Sequence, residues 1–312
     1  MRLGIIVNPL HARTHRAHNR LVTLLDAVHV RYRTVSTTAS RTGARQAADL
    51  VEWGAQAVVV LGGDGTLRAA APVLAEADVP VLIIPTGTGN VFSRAIGVHT
   101  ARAGLRLCEE FVHGAAGRAA VPVCTADCTG AEGVRRHEHF LSLAGIGGDA
   151  HAVAGHRREW GLLGYARGAI GALFAPEHTA RIDGDGLRVW AVMAAKTSCP
   201  AGPIPVFPGA EVTDEDIDFL AVVLGTDSPV ARLRVWAGIG TACVRGCPEA
   251  DPAMRYWTAP AATVTVDEPA PVHLDGDHLG EFTAIEVSTG ELLLDVVTPA
   301  NGTRSLPGCD RR

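Results

Sequence analysis

"VVVLGGDGTLRAAA", Val58 to Ala71, changes character abruptly. A β-branched run stops at two glycines. An aspartate and a third glycine follow, and alanine-rich helical sequence starts at Thr66. A buried strand therefore enters a helix through Gly62-Gly63-Asp64-Gly65-Thr66. Glycines let a ligand reach bare backbone, and the outward N–H groups of a helix start attract an anion. Thr66 either caps the helix or touches a phosphate. Asp64 is the odd member, because a carboxylate repels phosphate; it suits a Mg²⁺ ion, a water or a substrate hydroxyl. The competing reading is a plain strand-to-helix turn capped by aspartate. Three glycines around one aspartate weigh against it.

The flanking sequence repeats the same grammar. "RLGIIVNP", "VRYRTVST" and "VPVLIIPTGTGN" read as strands, "RAHNRLVTLLDAV", "GARQAADLVEWGA" and "TLRAAAPVLAEA" as helices, and "VFSRAIGV" follows the last strand. Continuous Val/Ile/Leu strands alternating with helices predict a parallel sheet covered on both faces. Ligands of such sheets bind at the carboxyl ends of the strands. "PTGTGN", Pro85 to Asn90, is a second glycine turn at such an end and would neighbour the first. After about Gly117 the runs shorten and become β-branched, as in "HEHFLSLAGIG", "IDFLAVVLG" and "ELLLDVVTP", with helical interruptions at "WGLLGYARGAIGALF" and "SPVARLRVWAGIGTA". That pattern predicts a mainly antiparallel β-sandwich. The fold expected is an α/β nucleotide-binding domain over 1–120 and a β-sandwich over 121–295, with 296–312 packing back on the first.

Composition narrows the function classes. The chain has 312 residues, 47% of them hydrophobic, and a net charge of −5. No basic face announces nucleic acid. The longest apolar runs fall short of the roughly 20 residues of a membrane span, and the first residues read as a strand rather than a secretory leader. The expectation is a cytoplasmic protein with reduced cysteines. Two C-x3-C pairs, Cys124/Cys128 and Cys243/Cys247, read as buried or surface thiols, with a structural metal or disulfide as the other option. "RRHEHF" reads as an exposed strand edge. Lys196 is the only lysine.

"LGGDGTLRAA", followed some distance on by "IPTGTGNVFSRAIGV", resembles the diacylglycerol kinase catalytic family, to which sphingosine, ceramide and NAD kinases are related. "LSLAGIGGDAHAV", "AEVTDEDIDFLAVV" and "VHLDGDHLG" continue the resemblance in the family's order. It implies a two-domain fold with ATP in the cleft and phosphoryl transfer to a lipid hydroxyl. It also implies that Gly62, Gly63, Asp64, Gly65 and Thr66 hold the ATP phosphates, with Leu67 and Arg68 closing the loop. Gly87, Thr88, Gly89 and Asn90 form the second nucleotide loop, Asn8 follows the first strand, and Thr38 follows the second. Asp214 matches the aspartate of a Mg²⁺ site that the family completes with backbone carbonyls. Asp277 matches the carboxylate of the general base, beside Asp275. The cofactors implied are ATP and Mg²⁺, and a homodimer is compatible with the resemblance.

Several positions depart from the pattern. Asp277 stands for Glu, Arg68-Ala69 for Asn-Glu, Val91 for Asp, Gly148 for Phe, and Glu215 for Gly. In "NPLHARTHRAHNR", His11, Arg13, His15 and Arg16 read as a solvated helix face, with phosphate contact as the other option. "HRREWGLLGYARGAIGALF", His156 to Phe174, reads as a helix packed on the sandwich or as a peripheral membrane surface. The leading functional expectation is an ATP- and Mg²⁺-dependent kinase acting on diacylglycerol. The alternatives are the same chemistry on a sphingoid or non-lipid hydroxyl, and a nucleotide-binding regulator without catalysis.

Overall fold

The computed structural model describes residues 1–38, 40–154, 171–200 and 202–300. They form two compact units, Met1–Val123 with the stretch from Gly290 on, and Cys124–Thr289. The crossings thus fall at Val123/Cys124 and Thr289/Gly290. The run "AAVPVCTAD" is divided between both units.

In the first unit, β1 (Arg2–Val7), β2 (Arg31–Ser36), β3 (Ala57–Gly62) and β4 (Val81–Pro85) are parallel. β16 (Leu293–Thr298) adds parallel to β4, and β5 (Gly117–Pro122) closes the edge antiparallel, in the order β2-β1-β3-β4-β16-β5. Every residue of β3 and β4 is buried, as strands covered on both faces must be. The covering helices are α1 (Ala12–Ala27), α2 (Ala44–Glu52), α3 (Asp64–Glu76) and α5 (Ala101–Val112), with the short α4 (Val91–Ala95) between β4 and α5. α2 packs on α3, and α1 on α5. The chain leaves β1 in one direction to reach β2 and leaves β3 in the other to reach β4. Right-handed crossovers then put α1 and α3 on opposite faces. The switch point, where such sheets open a ligand crevice, lies between the ends of β1 and β3.

Among the described residues, the strands of the second unit pair antiparallel, in keeping with the expected mainly antiparallel domain. Its ten strands are β6 (Cys124–Thr129), β7 (Arg135–Phe140), β8 (Leu143–Gly147), β9 (His178–Ile182), β10 (Asp185–Val189), β11 (Ala191–Ala195), β12 (Ile217–Val222), β13 (Met254–Ala259), β14 (Ala261–Leu274) and β15 (Asp277–Ser288). They are joined in one continuous sheet because the long β14 pairs with β9 near its start and with β8 near its end. Phe140, Ile146, Phe219, Val264, Leu274 and Ile285 meet in a single core that this sheet surrounds. β11 and β12 also bury their other face: Ala191, Leu220 and Val222 pack with Trp190 and Phe207 and with Ile239 and Cys243 of α7 (Pro229–Val244). α6 (Gly148–Ala154) follows β8. Most of the His156–Phe174 stretch, together with residues 301–312 of the expected returning tail, lies outside the described residues.

Candidate active site

The expected nucleotide residues follow four neighbouring parallel strands. Thr38 comes after β2, Asn8 after β1, Gly62–Thr66 after β3, and Gly87–Asn90 after β4. The fold gathers them along one rim. Asn8 Nδ2 donates to Thr66 Oγ1 at 3.2 Å, linking the loops that follow β1 and β3. Thr66 is buried, and its N–H returns to Gly63 O. Leu67 is buried in the core at 2% exposure, so only its backbone can face a ligand. Thr38 is exposed, with its hydroxyl 3.4 Å from Ser40 Oγ.

The two glycine loops touch backbone to backbone. A Cβ on Gly87 would lie 2.5 Å from Gly63 Cα, closer than any real contact. Glycine there is demanded by the protein itself. Asp64 locks this contact. Its carboxylate oxygens accept the N–H groups of Val91 and Phe92, both at 3.0 Å, and so cap α4 from the other loop. The sequence reading assigned this carboxylate to an ion, a water or a hydroxyl; in the structure it braces the second loop. Asn90, left-handed at φ 48, exchanges two bonds with Gly87, receiving its N–H at 2.9 Å and donating to its carbonyl at 2.7 Å. Thr88 stands exposed at the tip.

Arg13 joins the same place. Its Nη2 donates to Gly87 O at 2.7 Å, which sets a guanidinium at the second glycine loop. The sequence placed it on a solvated face, and it is exposed, but α1 aims it at the loop. The residues present fit a polyphosphate. Outward N–H groups at the start of α3 have no intrahelical acceptors, the helix start is positive, and one guanidinium lies beside it.

In the second unit, Asp275, Asp277 and Asp214 sit at one end of the sheet. The registers Leu274↔Ala144, Ala144↔Ala194 and Ala194↔Phe219 run across β14, β8, β11 and β12 in one row, and the three aspartates lie just beyond it. Asp275 has φ 48 in the turn between β14 and β15. Its carboxylate accepts three backbone N–H groups, from Leu141 at 3.0 Å, Ser142 at 2.8 Å and Leu143 at 3.0 Å. It ties the β7–β8 turn to the β14–β15 turn and so fixes where the half-buried Asp277 begins β15. The Asp214 carboxylate accepts the Glu211 N–H at 2.9 Å, closing its own turn.

The sequence reading did not single out a buried pair. Asp149 of α6 shares a 2.8 Å hydrogen bond with His273 Nε2 on β14, with His273 2% exposed. Its signal was present in "AGIGGDA", but the histidine is distant in sequence. The Gly148 of that segment, where the related family has Phe, makes room for Trp190: a Cβ there would lie 2.0 Å from the indole Cε2. Cys124 and Cys128 are buried thiols on β6, the latter pushed up to about 12 by burial.

Residues 2–122 match the family model described as the diacylglycerol kinase catalytic domain. That match covers the N-terminal stretch of the first unit and stops short of the second. A diacylglycerol kinase of Mycobacterium tuberculosis is 51% identical over 47 residues, 15% of each chain. An uncharacterized protein of Synechocystis is 27% identical over 260 residues, 79% of this chain; the chain spans 55% of that relative's length. A crystal structure of a diacylglycerol kinase from Bacillus anthracis superposes with a TM-score of 0.63 at 21% identity, covering 96% of this chain and 97% of that one. Yeast NADH kinase in complex with NADH superposes with a TM-score of 0.54 at 11% identity, covering 96% and 83%. The matched segment holds both glycine loops, Asn8, Thr38 and Arg13. No described helix is long and apolar enough to cross a membrane.

Proposed function

We propose that this protein is an ATP-dependent kinase that transfers the γ-phosphoryl group to a lipid hydroxyl, with diacylglycerol as acceptor and phosphatidic acid as product. The observation that carries the reading is the gathering of Asn8, Thr38, Gly62–Thr66 and Gly87–Asn90 on one rim of a sheet within the segment that matches the diacylglycerol kinase catalytic-domain model. Phosphoryl transfer asks the protein mainly for positioning and charge neutralisation. ATP brings the phosphoryl group and its accompanying Mg²⁺. The first unit's backbone N–H groups and Arg13 bind and orient the phosphates. Asp64 holds the second loop in register with the first. Asp277 accepts the proton of the acceptor hydroxyl, the work of a general base. Asp275 positions it by anchoring the turn from which it projects.

The test is a labelled-ATP transfer assay with Mg²⁺, offering a total-lipid extract in detergent and, separately, an aqueous metabolite fraction. Label in an organic-soluble product that runs as phosphatidic acid supports the proposal. Label confined to a water-soluble product retains the kinase and removes the lipid. No label, with ATP bound, removes the kinase.

A further inference from the structure

Lys196 follows β11, and its side chain is 1% exposed. A buried cation persists only when its donors find partners. Its Nζ donates to the backbone carbonyls of Asp214 and, at 2.7 Å, Asp216. Both carbonyls belong to the turn that leads into β12. The Lys196 N–H bonds Ser142 O at 2.9 Å, which fixes the base of the side chain against the β7–β8 turn. Burial lowers the lysine's pKa; Cys124, Asp214, Asp218 and Asp216 act against that lowering.

This is the turn for which the sequence resemblance implied Mg²⁺ held by Asp214 and backbone carbonyls. The residues present do not fit that ion. Mg²⁺ needs near-octahedral oxygens at about 2.0–2.1 Å. Here two carbonyls are already directed at an ammonium, and the Asp214 carboxylate is engaged by the Glu211 N–H. A dication on the same oxygens would sit against a buried positive charge in a medium that screens it poorly. Among the described residues no cluster of three His, Cys, Asp or Glu side chains could hold a metal.

We infer that Lys196 is the resident cation of this turn: its ammonium takes the place of a metal ion, and the approach to β12 folds without one. The only lysine in a chain whose other basic residues are arginines thereby has a specific task. A guanidinium is planar and wide, whereas an ammonium is a compact point charge with three donors. The inference goes beyond the phosphoryl-transfer reading and does not depend on it. The Mg²⁺ that accompanies ATP is held by the nucleotide's phosphates and is a separate ion.

The test is thermal unfolding of the nucleotide-free full chain in EDTA and in excess MgCl₂, for the wild type, Lys196→Ala and Asp214→Asn. The wild type is expected to melt within about 1 °C in the two media, and Lys196→Ala to melt at least about 4 °C lower in EDTA. Two results overturn the inference. One is a wild-type midpoint raised several degrees by Mg²⁺ in a way that Asp214→Asn abolishes. The other is a Lys196→Ala midpoint equal to the wild type's in EDTA. Should Lys196→Ala fail to fold, Lys196→Met keeps the apolar stem and is held to the same comparison, and the wild-type Mg²⁺ arm decides without any variant.

Discussion

Asp64, Asp275 and Asp277 each stand beside a glycine, and in sequence they read alike. Their surroundings separate them. Asp64 holds two backbone N–H groups of α4, and Asp275 holds three of the β7–β8 turn. Such charge-assisted bonds hold loops in place. Asp64→Ala is expected to strand the two α4 donors and to destabilise the first unit by about 1–3 kcal/mol, read by denaturant unfolding. It should weaken ATP binding in calorimetry as well, because the second loop loses its brace. Unchanged stability would contradict the bracing role. Asp277→Asn is expected to bind ATP as the wild type does and to lower transfer about 10²–10⁴-fold. Wild-type turnover in that variant would remove it as the base. The identity of these residues was legible in the sequence. Their division of labour was not, because the partners of Asp64 and Asp275 are distant backbone groups that no spacing rule reveals. Arg13 was hidden for the same reason: its acceptor, Gly87 O, lies 74 positions away.

The strand-helix-strand grammar of the first unit and the antiparallel runs of the second were legible from hydrophobic period and glycine punctuation. α5 was not, since its buried stripe is only Gly104, Leu107 and Cys108. β5 and β16 were also obscured, because an edge strand and a returning strand look the same in sequence as sandwich strands. The glycine loops act as one element. Gly87→Ala is expected to drive a methyl into the Gly63 backbone, cost about 1–3 kcal/mol as overpacking does, and abolish nucleotide binding. Tight ATP binding by that variant would contradict the loop contact. At the start of β9, His178 is half-buried, and its Nε2 has no hydrogen-bond partner among the described residues. Burial and then His151 lower its pKa from 6.5, with Glu268 opposing. The folded state therefore binds fewer protons than the unfolded chain. Stability should fall as pH drops below 6.5, towards the lowered folded value, and His178→Gln should flatten that slope in unfolding followed against pH. An equal slope in both proteins would contradict it.

At the scale of the molecule, the two units differ in what they disclose. The first carries the family match and the rim of glycine loops, so the proposed donor side rests on GGDGT and GTGN. The second carries the carboxylate of the proposed base and the Lys196 turn. Burial and register made that unit's fold legible, but they carry no signal for the acceptor of the proposed reaction. The measurement that tests the account most directly is transfer of labelled phosphate from ATP to diacylglycerol in mixed micelles, with wild type and Asp277→Asn side by side. The account predicts labelled phosphatidic acid from the wild type and a loss of about 10²–10⁴-fold in the variant. No organic-soluble label from a wild type that binds ATP would contradict it.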